Sequence, residues 1–130
     1  MKYDLGNTFS IIKPDQSVET IDVSPTMYQQ LDENFNQFKG HQLVSLYEFN
    51  DDWSSWEVHP KGDEIVVLLS GEITFVLDID GEHKQVELKK QGEYVVVPKN
   101  TWHTAKTNTP TKALFITPGE GTKHKDLDKV

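Results

Sequence analysis

The chain has 130 residues, 35% of them hydrophobic, with no cysteine and a formal net charge of −8 at pH 7. That length supports one domain with a modest core. The missing cysteines exclude a disulfide framework and a thiolate metal site, and the acidic balance argues against nucleic acid or an anionic membrane as partner.

Residues 1–6 lack the apolar run of a signal peptide, and no stretch is long enough to span a bilayer, so the sequence reads as cytoplasmic. Thr8 to Lys13 and Val18 to Val23 alternate as two short strands around the Pro14-Asp15 turn. Ser24-Pro25 predicts a helix start, with Ser24 as N-cap and Pro25 in the first helical position. Met27, Leu31, Phe35 and Phe38 then form one apolar stripe, and Gly40 is the stop. The stripe fits either a lid or a helix packed on the outside of the main body. Residues 1–40 thus form an N-terminal extension carrying one short helix.

From residue 41 to 118 the pattern is all-β. His41 to Phe49 is a strand with Leu43, Ser45, Tyr47 and Phe49 on one face. Trp53 and Trp56 flank a strand carrying Glu57 and His59, which are two apart and so leave the same face. Glu64 opens an apolar strand after the Pro60-Lys61-Gly62-Asp63 turn.

Ser70-Gly71 suits a two-residue hairpin pairing Leu68 with Ile73, Val66 with Phe75, and Glu64 with Leu77. Asp80-Gly81 suits a second hairpin pairing Phe75 with Val86 and Ile73 with Leu88. Both registers keep the apolar set, with Glu64, on the inner side.

Glu93 to Val97, Trp102 to Thr107 and Lys112 to Thr117 complete the strands, with His103, Ala105 and Thr107 on one face. Short strands with frequent turns predict a sandwich or barrel. Residues 119–130 read as a polar, loose tail. His41, His83 and His124 read as surface histidines.

Glu57, His59, Glu64 and His103 are the candidate metal ligands. An inward Glu64 needs a partner or a metal, and Lys84, opposite Leu77 in the expected register, is a rival partner. Glu57 fits either a ligand or an acceptor holding His59. Two carboxylates and two imidazoles suit Mn, Fe, Ni, Co or Zn and exclude Cu(I). Tyr47, Trp53, Val66, Phe75 and Phe115 are the expected walls of a small-molecule pocket, and Lys61 is either a solvated turn lysine or one that reaches over its mouth. All 13 basic residues are lysine. The planar fork that grips carboxylate or phosphate is absent, which disfavours phosphosugar and dicarboxylate substrates.

The spacing resembles the cupin superfamily. Its first motif reads His-x-His, three or four residues, Glu, six residues, Gly; here Glu57 takes the first His position, followed by His59, Glu64 and Gly71. Its second motif reads Gly, five residues, Pro-x-Gly, two residues, His; here it is Gly92, Pro98-Lys99-Asn100 and His103. Asn100 replaces a glycine and is the residue that best tolerates the left-handed turn.

The resemblance implies a cupin-type antiparallel barrel (double-stranded β-helix or jelly roll), a divalent metal, and N-terminal strands pairing across a homodimer. Three functions stand open: a metal-dependent enzyme with oxygenase ahead of isomerase or lyase chemistry, a non-catalytic small-molecule or metal-binding module, and a metal-free structural barrel.

Overall fold

The computed structural model describes residues 1–127. Eleven strands and one short helix follow each other in order. They are β1 (Thr8–Ile12), β2 (Val18–Asp22), α1 (Met27–Asn34), β3 (Gln42–Phe49), β4 (Ser55–Val58), β5 (Glu64–Ser70), β6 (Ile73–Ile79), β7 (Glu82–Leu88), β8 (Tyr94–Val97), β9 (His103–Lys106), β10 (Thr111–Thr117) and β11 (Lys123–Asp126). They make two antiparallel sheets, ordered β2-β1-β3-β10-β5-β8 and β11-β4-β9-β6-β7. Facing sheets of this kind form a jelly-roll barrel, one of the forms the strand pattern allows and the one the resemblance implies.

The core lies between the sheets. β5 alternates so that Glu64, Val66 and Leu68 are buried while Ile65, Val67 and Leu69 are only partly covered. Ile73, Phe75 and Leu77 from β6, and Ala113 and Phe115 from β10, meet them inside. A second cluster joins α1 to the first sheet through Met27, Leu31, Phe9, Ile11 and Leu43. The helix is therefore packed on the barrel.

Several local expectations need correction. Ser70-Gly71 does not close a hairpin: β5 pairs with β10 and β8, whereas β6 pairs with β7 and β9. The turn is a corner that carries the chain from one sheet to the other. Gly71 permits it, with φ +84° and no Cβ, because a Cβ there would lie 2.3 Å from the Pro110 carbonyl oxygen. The faces were still legible, because a corner and a hairpin both leave the two strands pointing into one core. β4 lies between β11 and β9, in the sheet that faces β5.

The Asp80-Gly81 hairpin has the expected register, including Leu77 opposite Lys84. Lys84 is exposed and Glu64 lies in the opposite sheet, so the two do not pair.

The helix begins at Met27, not at Pro25, and Thr26 precedes it without a side-chain cap. Phe38 reaches the core through a turn with left-handed Asn36, Gln37 and Phe38. His41 is buried: its ring stacks on Phe38 at 5.3 Å, and Nδ1 lies 2.8 Å from the Lys39 carbonyl. Residues 119–126 are not loose, because β11 pairs with β4 along its full length. No helix among the described residues is long and apolar enough to cross a membrane.

Candidate metal centre

Three strands deliver the four candidate ligands. Glu57 sits on β4, with His59 one residue past its end; Glu64 opens β5 and His103 opens β9. Glu57 and His103 are register partners on adjacent strands, while Glu64 reaches in from the facing sheet.

His59, Glu64 and His103 are buried, and Glu57 is partly exposed toward the mouth. Ligand atoms of Glu57, His59 and His103 all lie within 4.8 Å of one another. His59 Nε2 is 3.0 Å from Glu57 Oε1 and 3.3 Å from Glu64 Oε2, and His103 Nε2 is 3.3 Å from Glu64 Oε1. Both imidazoles and both carboxylates are brought together.

The outer contacts determine which ring nitrogens face the centre. Thr122 Oγ1 donates its only hydrogen to the Gly119 carbonyl, 2.9 Å away. It must therefore accept from His59 Nδ1, 2.8 Å away. His103 Nδ1 donates to the Thr101 carbonyl at 3.0 Å. Each ring spends its Nδ1 hydrogen outward and turns Nε2 inward, the arrangement that prepares a metal-ligating histidine. Thr117 Oγ1 donates to Glu64 Oε2 at 2.6 Å and fixes that carboxylate.

His59 Nε2, His103 Nε2 and Glu64 Oε1 are buried without a well-directed hydrogen-bond partner among the described residues. Their approaches to one another and to Glu57, at 3.0 and 3.3 Å, are close in charge but poor in hydrogen-bond direction. Three orphaned buried atoms of ligand type around one point fit a divalent transition metal.

The carboxylates and imidazoles also hold each other in their charged forms. Burial draws the His59 imidazole down, but Glu57 and Glu64 more than offset this and hold it up to about 9. Burial pushes Glu64 up, while His103 and His59 overcome it and hold the carboxyl at about 2.

The centre opens on a cavity of about 980 Å³ that runs out to α1. Tyr47, Trp53 and Phe115 line it; Val66 and Phe75 do not, because both are fully buried deeper in the core. Lys61 borders a different, smaller cavity beside Pro14 and Pro118.

Residues 46–117, more than half of the chain, match the family described as the cupin domain. The chain belongs to the cupin superfamily. Solved structures agree on the fold of this cupin. One is a cupin-2 domain protein from Shewanella frigidimarina (22% identity, TM-score 0.51, covering 59% of this chain and 70% of that one). Another is a hydroquinone 1,2-dioxygenase from Sphingomonas with 4-hydroxybenzoate bound (17%, TM-score 0.50, 58% of each chain). A third is a mutant oxalate decarboxylase from Bacillus subtilis (18%, TM-score 0.51, 68% of this chain and 24% of that one). No curated protein sequence matches this cupin.

Sequence reasoning missed the outer support of the centre. Thr117 was legible, since it shares the inner face of β10 with Phe115 at i, i+2. Thr122 and His124 were not, because their segment reads as polar and lacks alternation. In this cupin β11 places His124 Nε2 3.6 Å from Glu57 Oε2. Asn100 has φ +61°, so the turn before His103 keeps its left-handed form without glycine.

Proposed function

We propose that this cupin is a metal-dependent enzyme acting on a small organic molecule in the cavity beside Glu57, His59, Glu64 and His103. The carrying observation is the set of three orphaned buried ligand atoms, open on a cavity large enough for a substrate. A bound Mn, Fe, Ni, Co or Zn ion would supply Lewis acidity or an oxygen-binding centre there. The chain's own part is to fix the ligands through Thr122, Thr101 and Thr117 and to present the substrate against an aromatic wall. Oxygenase chemistry is the leading reaction class, ahead of isomerase or lyase chemistry.

The test is metal analysis of untagged protein purified without added ions, followed by oxygen uptake against a panel of small metabolites. Stoichiometric metal in the wild type that is lost in His59→Ala and His103→Ala supports the centre. Wild-type protein that neither retains nor takes up metal overturns it. Metal without turnover or oxygen uptake would leave a binding protein instead of an enzyme.

We also propose a homodimer formed through the outer face of the larger sheet. Leu46, Leu114, Val67 and Tyr94 lie in one cross-strand row, with Val44, Ile116, Ile65 and Val96 in the next. These eight apolar side chains are partly or fully exposed and adjoin across four strands. A second copy fits because these two rows are apolar and uncharged, while the rest of this acidic chain repels itself. Tyr94→Lys with Val96→Lys should halve the mass seen by light scattering, and a wild-type monomer would sink this reading.

A further inference from the structure

The charge of the main cavity is one-sided. Six carboxylates line it: Asp32, Glu48, Asp51, Asp52, Glu57 and Glu64. Neither lysine nor arginine is among the described residues lining it; His59 and His124 are the groups there able to carry positive charge. A divalent ion would neutralise Glu57 and Glu64. Lys112, outside the wall, approaches Glu48 at 3.3 Å. Asp52 accepts the Thr107 backbone N–H at 3.0 Å. Asp32 and Asp51 are exposed at the rim and form no ion pair within the described residues. The field at the mouth therefore stays negative even with metal in place.

The floor is aromatic. Phe115 stands edge-on to Tyr47 at 5.8 Å and to Phe49 at 6.0 Å, and Trp53 lies 6.2 Å from Phe115 and 5.6 Å from Phe49. Tyr28 reaches from α1 to hydrogen-bond the Tyr47 hydroxyl and extends the wall to the rim. Burial pushes both phenols up, so they stay neutral. Ring faces and phenol oxygens attract cations, and the same faces bury an apolar skeleton.

We infer that the cavity selects a small organic ammonium with an apolar or aromatic skeleton, and rejects carboxylates of the same shape. This rests on the reading of the cavity as the substrate site. It is independent of which metal binds, because the discrimination comes from rim carboxylates and rings that are not ligands. It also separates this cupin from a site that grips carboxylates through a lysine or arginine in the wall.

The test uses three probes on one skeleton: phenethylamine, 2-phenylethanol and 3-phenylpropionate, titrated by calorimetry into zinc-loaded and chelator-treated protein. The amine should bind about tenfold or more tighter than the carboxylate, with the alcohol between. High salt should shrink the gap, since the rim charges are solvent-exposed. Asp32→Asn with Asp51→Asn should narrow the preference severalfold while zinc stoichiometry stays unchanged. Equal or tighter carboxylate binding, no amine binding, or an unaltered preference in the double variant would overturn the inference. Zinc content is measured separately. Failure to hold zinc would strike the metal reading, yet amine preference would persist in the chelated protein, where the cavity is more negative.

Discussion

Thr122 and His59 lie 63 residues apart in the chain and share a 2.8 Å hydrogen bond. The threonine hydroxyl is already committed as donor to Gly119, so the histidine must supply the hydrogen. The segment leading into β11 thereby decides which nitrogen His59 turns to the centre. Thr122→Val should lower metal affinity about 10- to 100-fold, the usual effect of removing a partner behind a ligand. Thr122→Ser should retain most of it. A chelator competition assay checks both, and equal affinity in all three proteins would remove Thr122 from the account.

Glu57 occupies a place where the cupin motif has histidine, and it is the most exposed of the four. Glu57→Ala should reduce metal occupancy without unfolding the barrel, whereas His103→Ala should abolish it. Glu57→His should restore binding and shift preference toward softer ions, since imidazole replaces a charged oxygen donor. Occupancy unchanged in Glu57→Ala would make Glu57 an acceptor holding His59 and not a ligand.

Acid and base should each destabilise the metal-free protein, acid through Glu64 and base through His59. Glu64 is held at about 2, below its ordinary 4.5. Its contribution is present above about 4.5 and is lost as pH falls toward 2. His59 is held at about 9, above its ordinary 6.5. Its contribution is full below 6.5 and is lost as pH rises toward 9. Chelated protein should therefore lose stability from near neutral pH upward. Metal-loaded protein should gain over that range, because protons compete with the ion for His59. Denaturant midpoints across pH, with and without zinc, check the crossing. Parallel curves would contradict it.

Gly71 and Gly81 both have positive φ, but their surroundings differ. A Cβ on Gly71 meets the Pro110 carbonyl at 2.3 Å, whereas a Cβ on Gly81 meets nothing within 4 Å. Gly81→Ala should cost about 1 kcal/mol, the ordinary penalty for that backbone region. Gly71→Ala should cost several-fold more, because the corner must open to admit the methyl group. Chemical denaturation of the two variants decides. Equal losses would mean that the corner yields easily.

The legible parts of this cupin were those set by local alternation and turn chemistry. Glu64, Val66 and Leu68 had to share a face whatever strand lay beside them. Asp80-Gly81 admits few backbone forms, so its hairpin register followed. Strand partners were harder to read. The Ser70-Gly71 corner and a hairpin look alike in sequence, because only the Pro110 loop packed against Gly71 distinguishes them. His41 reads as a surface residue until Phe38 folds back over it through three left-handed residues. β11 has no apolar alternation at all; it is held by the backbone of β4, which sequence pattern does not record. The four ligand types were visible because their chemistry is rare on an inner face, while the threonines that orient them look like any other threonine.

β10 lies between β3 and β5 in the larger sheet. During synthesis, β3 finds β1 already made, but it must wait until residue 117 has been made before its second neighbour exists. No local hairpin can nucleate that sheet's centre, so its closure pays a long-loop entropy before any contact repays it. Refolding should accordingly be slow for a chain of this size, and the waiting β5, rich in Ile, Val and Leu, is the segment most exposed to aggregation in the interval.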